Sequence, residues 1–102
     1  YKNFNMGFVY KICCNDNKVT DFYIGSTTDL MRRTSQHKYN VLTGKETNRK
    51  LYKTIRNNGF WNNWNIEILA TVKTNDIKHL RRVEQLYLNN FNPNLNIIKK
   101  CC

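Results

Sequence analysis

Two short segments near the start of the chain alternate in a pattern typical of strands, and a polar turn separates them. Residues 7–14 read G-F-V-Y-K-I-C-C and residues 19–25 read V-T-D-F-Y-I-G. A period of two predicts a strand in each segment. Because the connection, residues 15–18 (N-D-N-K), is short and polar, the two strands are predicted to form an antiparallel hairpin. The fold must therefore be built around a small antiparallel sheet.

The rest of the chain predicts three helices. They fall at about residues 29–42, 47–58 and 76–90, where apolar side chains recur at spacings of three and four. Residues 26–28 (S-T-T) are N-cap candidates for the first helix, and Asp29 is then expected in its first turn.

A third strand is predicted over residues 61–72, between the second and third helices. Its in-phase side chains are Trp64, Ile66, Ile68 and Ala70. The element order is then β-β-α-α-β-α, which predicts an α+β fold with a three-stranded antiparallel sheet and helices packed on it. At 102 residues the chain has room for one core, so residues 1–102 are expected to form a single domain.

The charge of the chain points to a polyanionic partner. There are 17 Lys and Arg against 7 Asp and Glu, a formal net charge of +10. Nucleic acid is the leading explanation, because neutralising phosphates releases counterions and drives binding. An anionic membrane surface and a purely solubilising role are the alternatives. No apolar run approaches the roughly 18 residues that a membrane-spanning helix needs.

The four cysteines form two adjacent pairs, Cys13-Cys14 and Cys101-Cys102. Adjacent thiolates cannot easily turn onto one zinc ion, whose ligands are usually spaced C-x₂₋₄-C. Since the chain shows no secretory signal, we expect reduced thiols and an intracellular protein that is not secreted.

Polar residues interrupt the apolar stripes of the first and third helices. Arg33 and His37 lie one turn apart on the first stripe, and Glu84 lies in the middle of the third. Arg33 and His37 could also lie at the edge of the stripe and extend to water. Glu84 is either a metal ligand or one half of a buried ion pair, for example with Arg33. Off the third stripe, three residues are expected on the solvated surface: His79, Arg81 and Gln85.

Tyr10 and Tyr23 lie on neighbouring strands of the hairpin and could share one face. Together with Arg33, His37 and Glu84 they are expected near a single face of the sheet. This set suits phosphodiester cleavage, which needs an activated water, stabilisation of charge on phosphorus and help for the leaving oxygen.

Acidic residues are scarce, and most of them fall in predicted turns or caps. They are Asp16, Asp21, Asp29, Glu46, Glu67, Asp76 and Glu84. A two-metal nuclease needs a cluster of acids, so the sequence favours a site with one metal ion, held by Glu84.

These motifs resemble those of the GIY-YIG endonucleases over nearly the whole chain. Residues 8–10 (F-V-Y) stand where the family has G-I-Y, and residues 23–25 (Y-I-G) match to the letter. Arg33 follows Gly25 by eight residues and His37 lies four further on, as in the family. Glu84 lies in R-V-E-Q-L-Y-L and Asn96 in P-N-L-N, which resemble the later motifs. The departures are Phe8 in place of Gly and a slightly longer gap between the two tyrosines.

The resemblance implies a metal-dependent DNA endonuclease. Glu84 would bind one divalent ion, Mg²⁺ or Mn²⁺. Tyr10 would hold or deprotonate the attacking water with support from Tyr23, Arg33 would stabilise the transition state, and His37 would orient or relay a proton. The implied catalytic set is Tyr10, Tyr23, Arg33, His37, Glu84 and Asn96, with Asn96 bracing the site.

DNA, duplex or branched, is the expected partner, with DNA repair or recombination as the process. The residues expected to contact DNA are Gly25, Ser26, Thr27, Arg32 and Lys38. Gly25 is expected to end its strand and turn the chain sharply, so that exposed N–H groups meet phosphate. The alternative is a non-catalytic nucleic-acid-binding module with the same fold. The sequence indicates no target specificity and no oligomeric state.

Overall fold

A computed structural model describes residues 6–44 and 49–96. Three strands and three helices follow one another in the predicted order β-β-α-α-β-α. Their bounds are β1 Gly7–Cys14, β2 Phe22–Thr27, α1 Leu30–Thr43, α2 Arg49–Asn57, β3 Trp64–Val72 and α3 Ile77–Phe91, with a 3₁₀ turn at Trp61–Asn63 before β3. The α+β fold with a three-stranded antiparallel sheet is confirmed.

Strand β1 lies in the middle of the sheet, whose order is β2-β1-β3. It pairs antiparallel with both neighbours, and Tyr10 lies opposite Gly25 of β2. On the other side, Val9 pairs with Ala70 and Tyr10 with Ile68, so Leu69 is an extra residue on β3. The register therefore shifts by one residue at this β-bulge.

The bulge changes which side chains of β3 share a face. Trp64 and Ile66 pack with the core on one side of the sheet, whereas Leu69 and Ala70 pack with the core on the other. Ile68 is 53% exposed. The expected single in-phase face is therefore wrong, because one inserted residue reverses the alternation of all that follow it.

Helices cover both faces of the sheet. On one face Tyr10 and Ile12 pack with residues of α1 and α2, chiefly Val41, Leu51 and Ile55. On the opposite face a smaller cluster joins Val9 and Ile24 to Leu80 of α3. The chain thus has three layers, with the sheet in the middle and its apolar side chains buried on both faces.

The N-cap of α1 differs from the prediction. Residues 26 and 27 still belong to β2, and Asp29, expected in the first turn, is itself the N-cap. Its carboxylate accepts a hydrogen bond from the Arg32 amide at 3.1 Å, which satisfies one of the free donors of the helix N-terminus. The helix ends at Gly44, whose φ of 73° suits a left-handed C-cap.

Residues 93–96 run along the outer edge of β2. The Asn94 side chain accepts from the Phe22 amide at 3.1 Å, and the Leu95 amide donates to the Phe22 carbonyl at 3.2 Å. Asn96 uses both ends of its amide on Ile24: it accepts from the amide at 2.9 Å and donates to the carbonyl at 2.7 Å. These contacts satisfy backbone groups at the edge of the sheet.

Some predictions concern residues outside the described part of the chain. The start of the second helix at 47–48, Glu46 and the pair Cys101-Cys102 all lie there. Within residues 6–44 and 49–96, no helix is both long and apolar enough to span a membrane.

Candidate active site

A buried chain of hydrogen bonds lies between the sheet and the two helices α1 and α2. His37 of α1 is 1% exposed and stands between two tyrosines. Its Nε2 lies 2.9 Å from the Tyr10 hydroxyl, and its Nδ1 lies 2.9 Å from the Tyr52 hydroxyl. Asn40, one turn after His37, donates from Nδ2 to the Tyr52 hydroxyl at 3.2 Å. Three elements, β1, α1 and α2, therefore meet at one histidine.

The surroundings of His37 keep it neutral. Burial and the neighbouring Arg33 charge lower the pKa of His37 to about 4. The imidazole is therefore uncharged at pH 7 and has one ring nitrogen that donates and one that accepts.

Tyr10 and Tyr23 are both protonated phenols at neutral pH. Burial raises the pKa of Tyr10, and the nearby Tyr23 adds to the rise, while the hydrogen bond and charge of Arg33 oppose it. Burial likewise raises the pKa of Tyr23, again opposed by Arg33. Arg33 is thus the group that makes ionisation of either phenol easier.

Arg33 is held by Tyr10. Its Nε donates to the Tyr10 hydroxyl at 3.4 Å, and this hydrogen bond raises the pKa of the guanidinium. That contact uses only Nε, which leaves the two terminal nitrogens of the guanidinium for Tyr23 and for a ligand. Arg33 also lines two neighbouring cavities, so its charge faces the surface at the end of β2.

The larger of these cavities, about 200 Å³, lies at β2 and is lined by residues from both sides of the sheet. Glu84 of α3 lies here, and its carboxylate accepts a hydrogen bond from the Ser26 hydroxyl. The lining residues are Tyr23, Gly25, Ser26, Arg33, Ile77, Arg81 and Glu84. We refer to this candidate site as the catalytic cavity.

Our expectation that the five polar residues lie near one face of the sheet holds for four of them. Tyr10, Tyr23, Arg33 and His37 are on the side of α1 and α2, whereas Glu84 belongs to α3 on the other side. It reaches the others because β2 is an edge strand, around which both layers meet.

Gly25 has a different role from the one expected. It lies inside β2, buried and paired with Tyr10, rather than at a sharp turn after the strand. A Cβ at this position would fall 2.7 Å from the Tyr10 hydroxyl oxygen and 3.0 Å from the Tyr23 ring. Glycine is therefore needed so that both phenols can pack against the strand beside the cavity.

The other residues expected to contact DNA divide between the two cavities. Ser26 lines the catalytic cavity, while Thr27 and Arg32 line the second one, of about 160 Å³ at the start of α1. Lys38 is exposed on α1 and lines neither. Asn96 lies at the outer edge of β2, where both ends of its side chain are bonded to Ile24, so it braces the strand and does not face the cavity.

Comparison with known proteins decides the family. The sequence profile of the GIY-YIG catalytic domain matches residues 6–96. The chain belongs to the GIY-YIG family. Its fold is similar to that of the catalytic domain of the homing endonuclease I-TevI, with a TM-score of 0.71 and 20% sequence identity over 84% of this chain and 88% of that one. No curated protein matches the sequence significantly.

Three further residues at this GIY-YIG site were not singled out from the sequence. Tyr52 continues the apolar face of α2 with Leu51 and Ile55, so its residue type gives no sign of a site, and nothing in the sequence marks Asn40. Arg81 was expected on the solvated surface. It is exposed, but it also lines the catalytic cavity. One signal could have indicated this: Arg81 precedes Glu84 by three residues, so the two share a helix face.

The donors of the GIY-YIG site suit one hard divalent cation. Within the described residues, no three His, Cys, Asp or Glu side chains are grouped closely enough to hold a metal ion. Mg²⁺ accepts one or two carboxylates, keeps several waters and shares substrate phosphates. The Glu84 carboxylate in a polar cavity with room for a phosphate fits that pattern.

Proposed function

We propose that this GIY-YIG domain is a metal-dependent DNA endonuclease that hydrolyses a phosphodiester bond in the catalytic cavity. The observation that carries the proposal is the convergence of a guanidinium, a phenol and a carboxylate, from Arg33, Tyr23 and Glu84, on one cavity of about 200 Å³. Cationic side chains bind phosphate. A carboxylate beside them repels an anionic ligand unless a metal ion lies between the carboxylate and the ligand.

The arginines bind and orient the phosphate. Arg33 is fixed at Nε by Tyr10, so its other donors can hold two phosphate oxygens and stabilise charge that develops on them. Arg81 faces the same space from α3 and adds a second positive charge. The net charge of +10 favours the approach of DNA as a whole.

The tyrosines handle the proton of the attacking water. Tyr23 lines the cavity, whereas Tyr10 is fully buried and its hydroxyl packs against Gly25, which lines the cavity. Burial raises the pKa of both phenols, so either can act as a base only after it has ionised. Positive charge must stabilise the phenolate, and Arg33 provides part of that charge. His37 stays neutral and orients Tyr10.

Glu84 would hold one Mg²⁺ or Mn²⁺, which supplies positive charge for the phosphate and the leaving oxygen. The hydrogen bond from Ser26 fixes one carboxylate oxygen of Glu84 and leaves the other free to act as a ligand. This arrangement supports a site with a single metal ion.

The test is cleavage of supercoiled plasmid and of a panel of duplex, flap and junction DNAs with Mg²⁺ or Mn²⁺. We expect nicked or linear products that disappear when EDTA removes the metal. The panel also shows whether branched DNA, as in repair or recombination, is preferred. Binding without cleavage of any substrate by a folded, metal-loaded protein would support the non-catalytic DNA-binding alternative instead.

A further inference from the structure

A second cavity, of about 160 Å³, lies at the start of α1 beside the catalytic cavity. Among the described residues, only polar and charged ones line it. They are Thr27, Thr28, Asp29, Arg32, Arg33 and Gln36. Because Arg33 also lines the catalytic cavity, the two spaces are neighbours that share one guanidinium. A ligand that occupies both presents an acceptor group to each.

The N-terminus of α1 is not itself the ligand site, because Asp29 already occupies it. The Asp29 carboxylate accepts from the Arg32 amide at 3.1 Å and is the N-cap of the helix. The N–H groups and the partial positive charge of a helix N-terminus offset a carboxylate in this position. What the second cavity offers a ligand is therefore the charge and the donors of its side chains.

The charge balance of the second cavity favours an anion bound without a metal ion. Two guanidinium groups, from Arg32 and Arg33, face one carboxylate, which the helix N-terminus offsets. The catalytic cavity differs, because Glu84 lies in the middle of α3 and its charge is not offset in this way. One capped carboxylate beside two arginines makes a poor cation site, so phosphate is the ligand chemistry that fits.

The donors of the second cavity lie on one side of α1. Gln36 follows Arg32 by four residues and Arg33 by three, and positions at these spacings are neighbours on a helix surface. The Arg32 and Gln36 side chains are exposed, so a phosphate can reach them without rearrangement of the core. A guanidinium fork and a side-chain amide together donate to several oxygens of one phosphate. Helix α1 contains no Asp or Glu that would oppose this binding.

We propose that the second cavity binds the phosphate next to the scissile one on the same DNA strand, through Arg32 and Gln36, with Arg33 between the two phosphates. A strand supplies one phosphate per nucleotide, with a rise of about 3.4 Å in B-DNA, and two cavities that share a guanidinium are close enough for consecutive phosphates. The second contact fixes the register of the strand over the catalytic cavity and carries no base information. Only the assignment of the first phosphate as the scissile one rests on the proposed nuclease function.

Binding in the second cavity can be measured without any nuclease assay. The ¹H–¹⁵N spectrum of the protein with a short DNA duplex in EDTA reports the side-chain amides of glutamine. The chain has two glutamines, and the exposed Gln85 of α3, which lines neither cavity, is an internal control for Gln36. We expect the Gln36 amide signals to shift as DNA binds, and to shift more than those of Gln85. Unshifted Gln36 signals in DNA-saturated protein would overturn the proposal.

Gln36→Glu and Gln85→Glu make the same change of charge at nearly constant volume, at two exposed positions. A carboxylate at position 36 repels the neighbouring phosphate, so affinity for DNA should fall roughly five- to tenfold near 0.1 M salt, as for one lost phosphate contact. Gln85→Glu should give a smaller loss. Fluorescence anisotropy measures the affinities, and circular dichroism checks the fold. Equal losses would show that only the net charge of the chain matters and would contradict the proposal.

Neutral methylphosphonates show which phosphate the second cavity holds. Separate substrates carry one methylphosphonate on either side of the cleaved bond, or on the opposite strand. For the wild type, we expect one of the two flanking positions on the cleaved strand to lower kcat/KM roughly five- to tenfold.

Arg32→Ala should remove this sensitivity, because the contact is already lost and the two changes are coupled. Arg82→Ala is the matched control: Arg82 is exposed and lines neither cavity, so its variant should keep the full effect of the methylphosphonate. If the effects of Arg32→Ala and the methylphosphonate simply multiply, or if only the opposite strand is sensitive, the proposal is wrong.

The phosphate site and the nuclease activity are tested separately. A protein that cleaves no DNA, but whose Gln36 amide responds to DNA and whose affinity falls in Gln36→Glu alone, contradicts the nuclease function and supports a phosphate site in the second cavity. A protein that cleaves DNA without a response of Gln36 and without coupling to Arg32 contradicts the second site alone.

Discussion

On the side of the sheet covered by α1 and α2, the polar residues of the site other than Arg33 are buried. His37, Tyr10 and Tyr52 form one continuous chain there, within an apolar cluster. On the side covered by α3, Glu84 and Arg81 face an open cavity, and Ser26 is the protein partner of the Glu84 carboxylate. One side thus positions groups through satisfied hydrogen bonds, while the other presents charges to a ligand.

This difference predicts that substitutions on the two sides separate stability from function. A buried group that loses its partner destabilises the fold, because nothing else can satisfy the remaining donor or acceptor. Replacing a charged group at the cavity costs the fold little stability, since water already solvates that group, but it removes the contact with the ligand.

Glu84→Gln should give the largest effect on activity and little effect on stability. The amide oxygen can still accept from Ser26, so the free energy of unfolding should change by less than about 1 kcal/mol. The charge that holds the metal ion is lost, and kcat should fall on the order of 10³-fold while DNA binding is retained. Plasmid nicking and urea unfolding measure the two quantities. Normal cleavage by this variant would show that Glu84 is not the metal ligand.

Gly25→Ala should affect both stability and activity, because Gly25 lies where the two sides meet. The added Cβ would fall 2.7 Å from the Tyr10 hydroxyl oxygen and 2.8 Å from its Cζ, and Tyr10 is fully buried. Overpacking of this kind costs about 1–3 kcal/mol and moves the hydroxyl that holds Arg33. Urea unfolding and nicking rates should both report the change.

Gly44→Ala is the matched control. A Cβ there meets nothing within 4 Å, but the φ of 73° is unfavourable for alanine, at about 1 kcal/mol. Stability should fall without a change in cleavage. Equal losses of activity in both variants would mean that Gly25 acts through stability alone.

Elements were predictable to the extent that local pattern determines them. The alternation in residues 7–14 predicts β1 at its observed bounds, but the N-cap of α1 was expected at residues 26–28 and is Asp29. The in-phase prediction for β3 failed at Leu69, because a bulge depends on how a strand pairs with its neighbour and not on its own sequence.

The site was predictable only where residue type carried the signal. An arginine, a histidine and a glutamate on apolar stripes are conspicuous in any sequence. Tyr52 is not, since it continues an apolar face, and its contact with His37 joins residues 15 apart in the chain. Arg81 was missed because the orientation of α3 against β2 is set by tertiary packing.

His37 should make stability depend on pH. Its folded pKa of about 4 lies below the ordinary value of 6.5, so the unfolded state binds a proton that the folded state refuses. The contribution of neutral His37 to the free energy of unfolding is fully present above pH 6.5 and is lost as pH falls toward 4. The slope of that free energy against pH approaches about 1.4 kcal/mol per pH unit. Urea unfolding between pH 7 and 4.5 measures it.

His37→Gln should reduce this slope, and the exposed His79→Gln should not. The same slope in the wild type and His37→Gln would show that carboxylates account for the whole pH dependence.

Arg81→Ala and Arg82→Ala give the smallest and most specific comparison, because two adjacent exposed arginines differ only in whether they line the catalytic cavity. Loss of one phosphate contact should weaken DNA binding roughly five- to tenfold near 0.1 M salt and lower the slope of log K against log salt by about 1. We expect this for Arg81→Ala and a smaller change for Arg82→Ala, with equal stability. Fluorescence anisotropy over a salt series measures both. If the two variants lose the same affinity, Arg81 acts through the general field of the +10 chain, and the α3 side then contributes Glu84 alone to the reacting phosphate.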